Sequence, residues 1–126
     1  MILVDSTVYI DWLRSRVDPS VRLNEALRRN EAVTCGIIRA EVLRGIVSPP
    51  AKERMAMLFS LMHEVPLDGD LWTETAELAW LLGRQGIVLP LTDVAIAACS
   101  RRAGATLITT DRHFAMIPDL RIRASI

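Results

Sequence analysis

The sequence has 126 residues, of which 51% are hydrophobic and 24% are charged, and this favours one globular domain over a disordered chain. Its 15 basic and 15 acidic residues balance, so net charge does not signal a large nucleic-acid-binding surface. No apolar run reaches the roughly 18–20 residues that cross a bilayer, and the amino terminus has no basic region of the kind that opens a signal peptide.

The first half of the chain alternates short apolar runs with helical patterns. Met1–Val4 is uniformly apolar, as in a short buried strand, and hydroxyl residues that can cap a helix follow it closely. The predicted elements are a strand over Met1–Val4, a helix capped by Ser6 or Thr7, a helix from Pro19 to Arg29, a strand over Ala32–Cys35, and helices over Ile37–Leu43 and from Ser48 to about Met62.

The second half continues the alternation and ends in a strand-like pattern. A proline in its first strand argues for a place at the edge of the sheet. The predicted elements are a strand over Glu64–Leu67, a helix capped by Asp70 and running to about Arg84, an Ala-rich helix that starts near Asp93, a strand over Ala105–Ile108, and a final strand over Leu120–Ile126.

Short apolar strands separated by helices are typical of a parallel sheet with helices on both faces. We therefore predict the α/β class: a single domain over residues 1–126 with three α/β/α layers and a mostly parallel sheet of about five short strands. Cys35 and Cys99 lie in apolar contexts without paired spacing, which predicts buried, reduced thiols and a cytoplasmic protein.

Four acidic residues occupy positions at or near the carboxyl ends of predicted strands. Two follow strands directly, one lies in the helix after the second strand, and one begins the helix before the fourth. In open α/β sheets this edge is where ligands bind. We call these residues the acidic quartet: Asp5, Glu41, Asp93 and Asp111.

Converging carboxylates repel each other, and a hard divalent cation relieves the repulsion. Mg²⁺ and Mn²⁺ prefer oxygen ligands, and four acids suggest two ions or one ion with supporting acids. Such a site can activate water and stabilise in-line displacement at a phosphodiester. The sequence contains no Gly-rich phosphate loop, His-Glu-x-x-His or Cys-x-x-Cys motif, which leaves metal-assisted phosphoryl chemistry as the prediction.

Four sequence blocks carry a resemblance to a known family: D-S-T-V-Y-I at 5–10, R-A-E-V-L-R-G at 39–45, L-T-D-V-A-I-A-A at 91–98 and T-L-I-T-T-D-R-H-F at 106–114. In this order they resemble PIN-domain ribonucleases, and within that group the VapC-type toxins of toxin–antitoxin pairs. The resemblance implies strand order 3-2-1-4-5, a Mg²⁺ or Mn²⁺ site and endoribonuclease activity on RNA. It also implies a homodimer that is neutralised by a small antitoxin, in a heterotetramer or a larger complex.

The resemblance also assigns residues. The acidic quartet matches the family's acids, and Ser6 and Thr110 match the small polar residues beside the first and last of them. The chain departs at Ile38, where many relatives carry a hydroxyl, and at His113, where some carry a further acid.

Several assignments have ordinary structural alternatives. Asp5, Asp93 and Asp111 could serve only as helix-start or turn residues, and Glu41 could form a surface ion pair. His113 could be a ligand, a proton shuttle or a packing residue. The arginines near the quartet could bind RNA phosphates or be merely solvated; they are Arg39, Arg44 and Arg112.

Two other functions remain open at this stage. One is a structure-specific nuclease acting on DNA, because related sites cut both polymers. The other is a PIN-like module that binds RNA or protein without cleavage, although such a module has no need of four mutually repelling acids.

Overall fold

The computed structural model describes all 126 residues, and its centre is one sheet of five parallel strands in the order β3-β2-β1-β4-β5. The strands are β1 (Ile2–Val4), β2 (Ala32–Cys35), β3 (His63–Val65), β4 (Thr106–Ile108) and β5 (Ile122–Arg123). The predicted α/β class and strand order are confirmed, and the sheet is wholly parallel.

Seven α-helices and one 3₁₀ helix surround the sheet. They are α1 (Ser6–Arg14), α2 (Pro19–Arg22), α3 (Asn24–Arg28), α4 (Gly36–Arg44), α5 (Pro49–Ser60), α6 (Gly69–Arg84), α7 (Leu91–Arg102) and the 3₁₀ helix Arg112–Met116. None of the helices has the length and apolar character needed to cross a membrane.

The direction in which the chain adds strands to the sheet reverses between β1 and β4, and this reversal indicates where a ligand site should lie. From β1 the chain steps outward through β2 to β3, then returns to the other side of β1 as β4. Right-handed crossovers therefore put α1 to α5 on one face and α6 and α7 on the other. The crevice at such a reversal, beyond the carboxyl ends of the strands, is the usual ligand site of an open α/β sheet.

The core forms around β1 and β4. Leu3, Leu107 and Ile108 have no exposed surface, and all residues of α7 from Val94 to Ser100 are buried. The small alanines of α7 let its backbone approach the sheet closely, which fixes the position of the helix's first turn. Cys35 and Cys99 are buried free thiols, as predicted.

Two predicted helix caps are wrong by one or two residues. Asp5, rather than Ser6 or Thr7, caps α1, because its extended backbone lets its carboxylate accept from the Ser6 N–H. In the same way Asp68, rather than Asp70, caps α6 by accepting from the Leu71 N–H. Asp68 lies three residues before Leu71, which is a usual position for a capping aspartate, whereas Asp70 lies inside the first turn of α6.

Three other boundaries also differ from the prediction. β3 begins at His63 and ends before Pro66, which has no N–H to donate to a neighbouring strand. Only Ile122 and Arg123 of the predicted last strand pair, because β4 ends at Ile108 and offers no further partner. The predicted helix over residues 19–29 is two short helices that meet at the buried Leu23.

Candidate active site at the carboxyl edge of the sheet

Asp5 is the most deeply fixed acid of the site. It directly follows β1, is only 3% exposed, and its main-chain N–H donates to the Ile108 carbonyl of β4 at 2.9 Å. Its Oδ1 accepts from the Ser6 N–H at 2.9 Å, and its Oδ2 accepts from the Thr7 and Thr109 hydroxyls at 2.7 and 3.0 Å. A buried carboxylate with three donors has its hydrogen-bonding needs met within the protein and is held in one orientation.

The Thr109 hydroxyl connects this acid to the end of β4. It donates to Asp5 and accepts from the Asp111 N–H at 3.0 Å. Asp111 then caps the 3₁₀ helix, and its Oδ1 accepts from the His113 N–H at 2.9 Å. The imidazole Nδ1 of His113 lies 3.0 Å from the same oxygen.

The two remaining acids come from helices. Glu41 is half-buried on α4, and its Oε1 accepts from the Ser6 hydroxyl at 3.3 Å. Asp93 is half-buried in the first turn of α7, whose cap residue Pro90 makes no side-chain cap bond. An acid in that turn interacts favourably with the positive end of the helix dipole.

The pKa of Asp93 responds to the other members of the acidic quartet. Burial, and then the charges of Asp111, Asp5 and Glu41 in that order, together raise the pKa of Asp93 from 3.8 to about 6. His113 acts in the opposite direction. Such charge effects fall off with distance, which supports a common location for the four carboxylates at this edge of the sheet.

The donor set fits a divalent cation. Asp93, Asp111 and His113 each offer a ligand atom, and these atoms all lie within 4.8 Å of one another. Carboxylate oxygens suit Mg²⁺ and Mn²⁺, and the raised pKa of Asp93 comes first from burial and then from the repulsion of nearby carboxylates, which a cation would remove. Asp5 and Glu41 are not part of this group of ligand atoms, although their charges act on the pKa of Asp93.

The structure places the other predicted site residues in three kinds of location. Ser6 lies within the site, where it contacts both Asp5 and Glu41. Arg39 forms an ion pair with Glu64, the middle residue of β3. The remaining three side chains are exposed at the surface and form no ion pair: Arg44, Thr110 and Arg112.

Sequence reasoning missed two residues, Thr7 and Thr109. Both bind Asp5, whereas Thr110, the neighbour singled out from the sequence, is exposed. Their spacing was a usable signal. Thr7 follows Asp5 by two residues and Thr109 precedes Asp111 by two, and short polar side chains often bond at that separation.

Comparison with known proteins places the chain in context. Residues 2–120 match the family model described as PIN domain. Ribonuclease VapC19 of Mycobacterium tuberculosis is 31% identical over 133 aligned residues, covering 96% of this chain and 98% of the relative. VapBC2 from Rickettsia felis, bound to a DNA fragment from its promoter, superposes with a TM-score of 0.78 at 20% identity and covers 98% of both chains. DNA-bound VapBC from Salmonella typhimurium gives 0.79 at 20% identity, over 97% of this chain and 96% of that one.

Proposed function

The chain belongs to the PIN-domain family, and we propose that it is a metal-dependent endoribonuclease, the toxin of a toxin–antitoxin pair. The observation that carries the proposal is the acidic quartet. Burial and the charges of Asp111, Asp5 and Glu41 together raise the pKa of its fourth member, Asp93. A ribonuclease relative with 31% identity over nearly the whole chain supports RNA as the substrate.

From the sequence alone, Asp5 and Asp93 are expected to hold the principal Mg²⁺ or Mn²⁺, with Glu41 and Asp111 completing the shell or binding a second ion. Because Asp111 belongs to the group of ligand atoms within 4.8 Å and Asp5 does not, we assign Asp93 and Asp111 to the principal ion, and Asp5 and Glu41 to the rest of the shell or to a second ion. When bound, the cation supplies an activated water and stabilises charge on the phosphate oxygens. Everything else in the mechanism is positioning by the chain's own side chains.

Each acid is positioned differently. The three donors to Asp5 leave little freedom for its carboxylate to turn. Ser6 holds Oε1 of Glu41, which leaves Oε2 to accept a hydrogen bond from water. Thr109 fixes the main chain of Asp111 relative to Asp5. The site is therefore largely organised before substrate arrives, which is where electrostatic catalysis gains most.

Substrate phosphates need cationic partners outside the acidic quartet. Arg112 follows Asp111 directly and is exposed, so it is the nearest unpaired guanidinium in the sequence to the last acid. An Arg fork binds phosphate oxygens in pairs. We assign Arg112 to the RNA backbone, and Arg44, exposed in the last turn of α4, as a second candidate.

The antitoxin is the second proposed partner. The Rickettsia and Salmonella neighbours are VapBC assemblies, which supports a small cognate protein for this chain, and its tail would cover the acids. We also propose a homodimer, in keeping with Trp72 and Trp80 of α6, which are 45% and 55% exposed. Copurification with the neighbouring gene product tests the first point, and solution mass tests the second.

We place the activity in the cytoplasm, where RNA is available and buried thiols remain reduced. The decisive experiment is cleavage of a total-RNA pool by wild-type and Asp93→Asn protein in Mg²⁺, Mn²⁺ or EDTA. We expect metal-dependent cutting that is lost in the variant. Cleavage that persists in EDTA would refute the metal-dependent mechanism. Preferential cutting of DNA of the same sequence would mean that the substrate is DNA rather than RNA.

A further inference from the structure

We propose that His113 supplies a nitrogen ligand to the cation, and that the site therefore prefers Mn²⁺ and heavier first-row divalent ions to Mg²⁺. The inference rests on the proposed function, because it names the metal class of the same site. It concerns a residue at which this chain departs from an all-carboxylate arrangement.

The ligand atoms of His113 and Asp111 have the spacing of two ligands on one ion. His113 Nδ1 lies 3.0 Å from Asp111 Oδ1, and a carboxylate oxygen of Asp93 completes a group of ligand atoms within 4.8 Å. Neighbouring ligands on an octahedral ion with bonds of about 2.0–2.1 Å are separated by roughly 2.9 Å. The nitrogen and the oxygen are thus at the separation of two ligands that share one ion.

The main chain fixes the position of His113. The His113 N–H donates to Asp111 Oδ1 at 2.9 Å within the first turn of the 3₁₀ helix. Phe114, the next residue, is only 1% exposed and anchors that turn in the core. The imidazole itself is 60% exposed, so an ion in solution can reach it.

An imidazole nitrogen changes the metal preference of a site made of carboxylates. Carboxylate and water oxygens suit Mg²⁺ and Mn²⁺ alike, whereas imidazole nitrogen favours transition metals over Mg²⁺. Asp93 and Asp111 alone would discriminate weakly between these ions. Adding His113 gives a mixed oxygen and nitrogen set, so selectivity should depend on this residue.

The first test is isothermal titration of the metal-free protein with MgCl₂, MnCl₂ and CoCl₂ at pH 8. The readout is the ratio of the Mg²⁺ to the Mn²⁺ or Co²⁺ dissociation constant. We expect His113→Gln and His113→Asp to lower this ratio by about tenfold. This is the lower end of the change in metal affinity that substitutions around a metal usually cause. Because the ions carry the same charge, a general electrostatic change cancels in the ratio.

The chain has two histidines, which gives a matched control. His63 is also exposed, lies at the start of β3, and its Nε2 contacts the Asn30 carbonyl. His63→Gln should leave the ratio unchanged. In electron spin echo spectra of the Mn²⁺-loaded protein, we expect a histidine nitrogen coupling that His113→Gln abolishes and His63→Gln retains.

The outcomes separate the two proposals. If Asp111→Asn weakens Mn²⁺ binding while the ratio and the spin echo spectrum do not depend on His113, the imidazole only orients Asp111 and this inference is wrong. If neither Asp93→Asn nor Asp111→Asn changes binding of any of the ions, the metal site itself is wrong, and the proposed function fails with it.

Discussion

The hydroxyl of Thr109 links Asp5 to Asp111. It lies 3.0 Å from Asp5 Oδ2 and 3.0 Å from the Asp111 main-chain nitrogen, although Thr109 and Asp5 are 104 residues apart in the sequence. The side chain is 3% exposed. One buried hydroxyl thus sets the relative position of the first and last acids of the quartet.

Replacing this hydroxyl by a methyl group tests its role. Thr109→Val keeps the side-chain volume but leaves Asp5 with one donor fewer and the Asp111 N–H without its acceptor. Losing a buried hydrogen-bond partner costs about 1–3 kcal/mol, so we expect the free energy of unfolding to fall by about that much. Urea unfolding measures the loss, and RNA cleavage under conditions where the variant remains folded measures the effect on activity.

Thr110→Val is the matched control, because the same substitution is made one residue later at an exposed position. It should change stability by less than about 0.5 kcal/mol. Equal losses in the two variants would mean that the two hydrogen bonds of Thr109 have no special importance.

The sequence predicted the sheet and the acidic quartet for a physical reason. Short apolar runs such as Ala32–Cys35 have few alternatives to a buried strand, and parallel strands bring their carboxyl ends to one edge. Asp5 and Asp111 could therefore be placed together without knowing any side-chain conformation. The family resemblance added the strand order.

The hydroxyl network could not be predicted in the same way. Whether Thr109 or Thr110 faces Asp5 depends on the residue at which β4 ends, and strand ends are the least certain feature of a sequence pattern. The caps at Asp5 and Asp68 were missed for a related reason. Several aspartate and hydroxyl residues lie within two positions of each helix start, and only the backbone angles choose between them.

Asp93 should make the stability of the metal-free protein depend on pH. Its pKa is raised from 3.8 to about 6, so the folded state binds the proton more tightly than the unfolded state. The stabilisation from protonation is complete below pH 3.8 and is lost as the pH rises through about 6. We therefore expect Asp93→Asn in EDTA to raise Tm at pH 7.5 by roughly 2–5 °C, a figure reduced for solvent screening.

The difference between variant and wild type should disappear near pH 4, where the wild-type carboxyl is protonated. Added Mn²⁺ should reverse the order at pH 7.5, because a ligand stabilises only the protein that binds it. Asp11→Asn, at an exposed acid of α1, serves as the control and should show neither effect. Thermal scans at several pH values, with and without metal, make the comparison. A Tm of Asp93→Asn below wild type at pH 7.5 in EDTA would contradict the assigned repulsion.

Glu41 and its hydrogen-bond partner should differ sharply in importance. Glu41→Gln removes a charge that acts on Asp93, and we expect cleavage to fall by about 10–100-fold, as for other changes around a metal. Ser6→Ala removes only the 3.3 Å bond to Glu41 and keeps the backbone donor to Asp5, so its loss should be about tenfold smaller. Single-turnover cleavage rates at saturating Mn²⁺ measure both. Equal rates for Glu41→Gln and wild type would place Glu41 outside the site.

We expect Arg112 to contribute to RNA binding and Arg39 not to contribute. Arg112 is exposed and forms no ion pair, whereas Arg39 is already paired with Glu64. In the non-cleaving Asp93→Asn background, Arg112→Ala should weaken binding of a single-stranded RNA. It should also reduce the slope of log affinity against log salt by about 0.7, the effect of one phosphate contact.

Arg39→Ala should leave the slope unchanged, because its guanidinium has a partner within the protein. Fluorescence anisotropy between low and moderate salt measures both slopes. A slope change in Arg39→Ala alone would mean that the RNA binds on the β3 side of the sheet instead.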